Sequence, residues 1–178
     1  MAQTQKKKTP QNHYLVTESY LMTRGAALHF PSKQFQNLIS MNDTVYGLVV
    51  DMPVNPQTLI TLVIYINGAA NLYFNNGGSY TGASQRYSTV VQLGRGLVAQ
   101  SNRILGEATR TKKLDLPIGR EHHIFLLTKN GTYRKAFLPT ELKDESSDLQ
   151  SVFALYQRLM QELNAAQMKD RAKARTQK

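Results

Sequence analysis

The sequence predicts an α+β fold, a mostly antiparallel five- to six-stranded sheet sandwiched between helices. Three observations carry this. The runs 45–50, 59–66 and 124–127 are apolar on both faces, and strands of that kind need cover on both sides of the sheet. Asn67-Gly68 and Asn130-Gly131 each separate two strand-like runs, and Asn-Gly suits tight hairpins because both central residues of the turn take positive φ. Segments 85–108 and 148–168 repeat apolar residues at three- and four-residue spacing, the mark of helices with one buried face.

Taken in order, residues 1–12 hold Lys6, Lys7, Lys8 and Pro10 with no periodicity and read as a disordered basic tail. A single α+β domain is expected over 13–168. Within it, 14–30 admits two readings, one helical face or two short strands. Ser32 can cap a short helix over 33–41 that buries Phe35, Leu38 and Ile39. A strand is expected over 44–52, ended by Pro53 and Pro56. The hairpin at Ile66-Asn67-Gly68 leads to a second strand at 70–74, and Asn76-Gly77-Gly78-Ser79 breaks it.

The helix over 85–108 carries Tyr87, Val90, Val91, Gly94, Leu97, Val98, Ser101, Ile104, Leu105 and Ala108 on its stripe. Glycine in a helix costs about 1 kcal/mol relative to alanine, so Gly94 calls for an offsetting gain. Gly94 and Ser101 are small and seven apart. They predict a close approach to the sheet or to a second helix, and are the candidate interface residues. A strand over 111–116 follows, then strands at 122–129 and 132–138. Ser147 with Gln150 has the form of a capping box. The last helix is expected over 148–168, with Leu149, Val152, Phe153, Tyr156, Leu159, Met160 and Leu163 buried. A basic C-terminal tail is expected over 169–178.

The chain has 178 residues, no cysteine and a net charge of +10. Disulfides and thiolate metal sites are therefore excluded. Neither a secretory leader nor an apolar run long enough to span a membrane is evident, so the sequence reading is a cytoplasmic chain with no membrane span. Most of the positive excess sits at the two ends, in Lys6–Lys8 and in Lys169, Arg171, Lys173, Arg175 and Lys178. Basic ends of this kind commonly solubilise a chain or hold polyanions without sequence specificity.

From 59 onward the element order is strand, strand, helix, three strands, helix. With the 66–68 hairpin, the Gly77-Gly78 break and the long helix 85–108, it resembles the profilin-like layout of roadblock and longin domains. The strand at 44–52 is extra to the roadblock pattern. The resemblance implies a non-enzymatic module that dimerises, scaffolds complexes, or binds small GTPases or their regulators. It carries no residue motif and so transfers no site residue.

Three constellations remain. Gly77-Gly78-Ser79-Tyr80-Thr81-Gly82 precedes a helix, where backbone N–H groups can hold an anion. It lacks the Gly-Lys-Ser/Thr ending and the spacing of nucleotide loops, so a plain strand-to-helix connection is the expectation. His122-His123 is the sole histidine pair. On a strand the two rings face opposite ways, so they do not grip one metal together, and neither has a nominated catalytic partner. Arg110, Lys112, Lys113, Arg120, Arg134 and Lys135 make the body's own basic region. They are candidate polyanion-binding residues, set against the alternative of a solvated outer face.

No cofactor, metal or catalytic residue is assigned. The expected function is a non-enzymatic protein–protein interaction or scaffold module, as a homodimer or within a multisubunit complex. The alternative is a nucleic-acid or polyanion binder using the basic ends and the 103–135 region.

Overall fold

The computed structural model describes residues 14–177. The chain folds as α1 (Glu18–Leu28), a 3-10 turn (Ser32–Phe35), β1 (Gly47–Asn55), β2 (Thr58–Tyr65), β3 (Ala70–Phe74) and β4 (Ser79–Tyr80). Then come α2 (Ala83–Arg86), α3 (Ser88–Ser101), a 3-10 segment (Asn102–Glu107), β5 (Thr109–Arg110), β6 (His122–Thr128), β7 (Gly131–Phe137), a 3-10 turn (Pro139–Asp144) and α4 (Ser147–Thr176). The strands form one 7-stranded sheet in the order β4-β3-β2-β1-β6-β7-β5, with every pairing antiparallel. The class is the one predicted. The sheet is wider than the predicted five or six strands because two-residue strands, β4 and β5, close its edges.

Each face of the sheet carries its own core. On one face Leu48, Val50, Leu62, Ile64, Ile124 and Leu126 pack with Val90, Leu97, Val152, Tyr156 and Leu159 of α3 and α4. On the other, Val49, Val63, Tyr65, Phe125 and Leu127 pack under Ala27, Leu28, Phe35 and Ile39. Alternate residues of β1, β2 and β6 thus feed both layers. That is why these strands read as continuous apolar runs rather than alternating ones.

The open reading of 14–30 resolves as α1. Thr17 caps it by accepting from Tyr20 N, and its buried stripe is Tyr20, Arg24, Ala27 and Leu28. The next segment is a single 3-10 turn. Phe35 and Ile39 are buried as expected, but Leu38 faces solvent. β1 starts later and runs past Pro53 to Asn55. Its pairing with β6 stops at Asp51, so beyond that point only β2 demands a ladder partner, and a proline can be accommodated.

The helix expected over 85–108 is broken at both ends. Tyr87 is extended, with φ −129° and ψ 108°, which separates α2 from α3. At the far end Ser101 Oγ and Asn102 Nδ2 both donate to Val98 O, drawing on carbonyls that a continuing helix would use. The strand expected over 111–116 is not a strand. Pairing ends at Arg110, Thr111 Oγ1 accepts from Lys113 N in a local turn, and the segment runs over the α1 side of the sheet, where Leu114 packs against the core.

α4 continues past 168 to Thr176. What holds the extension is Asp170, which accepts from Tyr80 OH, Tyr87 OH and Arg86. These bonds hold its pKa down at about 2. The residues read as a basic C-terminal tail therefore begin as anchored helix. The N-terminal tail assigned to 1–12 lies outside the described residues.

The β2–β3 turn and α3 meet through two glycines. Gly68 has φ 89°, and a Cβ there would lie 2.7 Å from Val91 O. A Cβ on Gly94 would lie 3.2 Å from Gly68 O. Gly68→Ala is expected to cost about 2–3 kcal/mol, because strain at positive φ adds to a clash with backbone. Thermal unfolding of the variant measures this.

Candidate functional site

The polar groups that could do chemistry form two buried sets, one on each side of β6. Asp51, in the middle of β1, is 0 % exposed. Arg24 Nε lies 3.1 Å from each carboxylate oxygen and Nη2 lies 2.6 Å from Oδ2, while Nη1 donates to Leu114 O at 2.9 Å. Thr61 Oγ1 donates to Asp51 Oδ1 at 2.7 Å. Since that hydroxyl spends its proton on Asp51, Tyr20 OH is the donor in the 2.6 Å bond to Thr61. The guanidinium also sits 5.4 Å from the centroid of Phe125. Burial works against the Arg24 charge, but Asp51 overrides it and raises the pKa above its ordinary value. Each polar side-chain atom of the set has a partner, so the set is a strut between α1 and the sheet.

Beside it on the same face lies His123, opposite Asp51 in the β1–β6 register. Its Nε2 is 3.5 Å from Glu121 Oε2. Burial lowers its pKa, so the ring is neutral at pH 7 and the contact is not an ion pair. Its Nδ1 is the one buried side-chain N or O among the described residues without a hydrogen-bond partner.

His122 faces the other way, as its neighbouring strand position requires. Its Nδ1 lies 2.8 Å from Tyr156 OH on α4, and the ring packs against Phe137 and Phe153. Burial, followed by the neighbouring His123, pushes its pKa down to about 4. The two histidines do not share a ligand, and no group of three His, Asp or Glu side chains able to hold a metal occurs among the described residues.

The predicted basic residues fall at more than one place. Arg110 and Lys112 line a cavity of about 610 Å³ with His29 at the β5 edge. Lys113 follows in the Thr111 turn. Arg134 is on the Phe125 side of β7. Arg120 lines a different cavity beside His122. Lys135 is already paired, 2.8 Å from Glu145 and 3.9 Å from Glu107. Gly94 and Ser101, the candidate interface pair, are both buried within the chain. Gly94 meets the β2–β3 turn, so the close approach that its size predicted is to the sheet, and neither residue is available to a partner. Gly82, at the end of the glycine-rich 77–82 stretch, caps α2, which is one turn long; the stretch is a connection.

Sequence reasoning missed the Arg24–Asp51 strut. Its signal was an acid inside an apolar strand run and a cation inside a helical stripe, each unreadable without the other. It also missed the apolar end of the sheet. Leu15, Val54 and Ile118 are 88 %, 60 % and 68 % exposed. Tyr14 OH donates to Pro117 O, and Asn75 Nδ2 donates to both Leu15 O and Gln57 O. Those bonds tie the segment before α1 to the loop bearing Ile118 and to the hairpin bearing Val54. No protein-family model, curated protein or solved structure matches the chain. Among the described residues no helix is long and apolar enough to cross a membrane.

Proposed function

We propose that this chain is a non-enzymatic interaction module that pairs with a second copy of itself or with another protein through the apolar end of its sheet. The observation that carries the reading is that Leu15, Val54 and Ile118 are each more than half exposed on three segments that hydrogen bonds from Tyr14 and Asn75 tie together. Large apolar side chains grouped on a surface are associated with partner binding. Arg24 and Asp51 are taken up in their mutual strut, and His122 Nδ1 in its bond to Tyr156. Both edge strands are two residues long, which leaves little backbone for strand addition from another chain. The dimer or complex suggested by the roadblock-like element order fits this reading.

Sedimentation equilibrium of the full chain tests self-pairing. A dimer is expected, strengthened by salt because the net charge of +10 repels a second copy. Val54→Glu with Ile118→Glu is expected to give a monomer with an unchanged thermal midpoint. A wild-type chain that stays monomeric at high concentration removes the self-pairing form.

The polyanion reading keeps one specific support. Arg110 and Lys112 share a cavity wall with His29, and neither has a salt bridge to another described residue. Binding of this kind must weaken steeply with salt, the opposite of the trend expected for self-pairing. A salt titration with a single-stranded oligonucleotide separates the two.

A further inference from the structure

Between the β1–β2 hairpin, the loop before β6 and the turn after β7 lies a cavity of about 430 Å³. Pro53, Val54, Pro56 and Pro139 supply its apolar walls. Arg120 and His122 supply a cation and an imidazole, and no acidic side chain lines it. A neighbouring hollow of about 300 Å³ shares Pro53, Val54 and His122; Met52, Ile60 and Met160 extend its apolar side, and Gln157, Gln161 and Asn164 form its polar side.

The protonation of His122 follows from its partner. Tyr156 OH is fully buried, and its bond is to His122 Nδ1. If the imidazole donated through Nδ1, the phenolic proton would be left buried and unpaired, which is costly. Tyr156 is therefore the donor, Nδ1 accepts, and the proton of the neutral ring sits on Nε2. That Nε2–H has no hydrogen bond to another described residue, yet it is not among the atoms buried without a partner. It therefore reaches solvent, and the openings on which His122 borders are these two hollows. Arg120 is exposed and has no salt bridge to a described residue. A cation and a neutral N–H donor thus share one apolar-walled space, the usual makeup of a small-ligand site.

We propose that this cavity binds a small aliphatic carboxylate, with Arg120 meeting its charge, the His122 Nε2–H donating to a carboxylate oxygen, and the alkyl chain lying along Met52, Ile60 and Met160. The ligand's charge meets a cation with no competing acid, and its chain covers surface that water otherwise wets. The site is complete within one copy of the chain, and because Val54 lines it and also belongs to the proposed pairing surface, ligand and partner compete for that wall.

The test is an NMR titration of the full-length protein with octanoate, and in parallel with octanamide, followed at the imidazole Nε2–H of His122. Octanoate is expected to shift that signal saturably and to bind about tenfold more tightly than the amide, the scale of one charge-assisted bond. Arg120→Gln, at an exposed position, is expected to erase that preference. Val54→Trp, at the shared wall, is expected to weaken both ligands. Absence of a saturable shift, equal affinity for acid and amide, or octanoate binding unchanged in Arg120→Gln each overturns the proposal. An unchanged amide fingerprint in both variants certifies that they are folded.

Discussion

Arg24→Met is expected to lower the stability of this protein by about 3–5 kcal/mol, the largest loss from any single change at the α1–sheet contact. Methionine fills most of the volume but leaves the Asp51 carboxylate 0 % exposed with its counter-charge removed. Thr61 still donates to it, but one neutral hydroxyl does not replace a guanidinium that reaches both oxygens. Leu114 O loses its donor at the same time, so the loop over α1 loosens as well. The loss should appear in urea unfolding as a lower midpoint at unchanged slope. The double variant Arg24→Met with Asp51→Asn removes the charge while keeping an acceptor for Thr61, and is expected to recover most of the loss. If the double variant is no more stable than the single one, the damage lies in lost packing and not in a stranded charge.

Acidification should produce the second large effect. The His122 ring takes up a proton near 6.5 in the unfolded chain but only at about 4 in the folded one. Between those values the unfolded state binds more protons, so stability falls as the pH falls through this window and is fully present above 6.5. The shift corresponds to about 3 kcal/mol. The pKa of His123 is lowered as well, first by burial, and it contributes in the same direction. Protonating His122 also takes away the acceptor of Tyr156. His122→Gln keeps an acceptor for the phenol without a titration. It should start less stable at pH 7 and lose less on going to pH 4 than the wild type. An equal loss in the two proteins would move the acid sensitivity to another group.

The two predictions mark where sequence and structure part company. Continuous apolar runs at 45–50, 59–66 and 124–127 required a sheet covered on both faces, because no other arrangement keeps both sides of such strands from water. Asn67-Gly68 located one hairpin and Asn130-Gly131 another, although only the glycine of each pair takes the positive φ expected of both residues. The helical stripes picked out Val90, Leu97, Tyr156 and Leu159 as core. Opposite facing of His122 and His123 followed from strand geometry alone. These features depend on residues close in sequence, where periodicity and turn chemistry act directly.

Tertiary structure decided what depends on distant partners. Arg24 disguises the buried stripe of α1 as an interrupted pattern, and its reason for being buried, Asp51, sits 27 positions away. Asp170 anchors a charged helical segment by accepting from Tyr80, Tyr87 and Arg86, which lie 83 to 90 positions earlier. Segment 111–116 has the alternation of a strand, yet Leu114 is drawn to the α1 face and its carbonyl to Arg24. The apolar end with Leu15, Val54 and Ile118 joins three stretches that are ordinary when read singly. A local pattern reports which residues prefer to leave water. Which of them find room to do so, and which stay at the surface, is settled by the shape into which the whole chain closes.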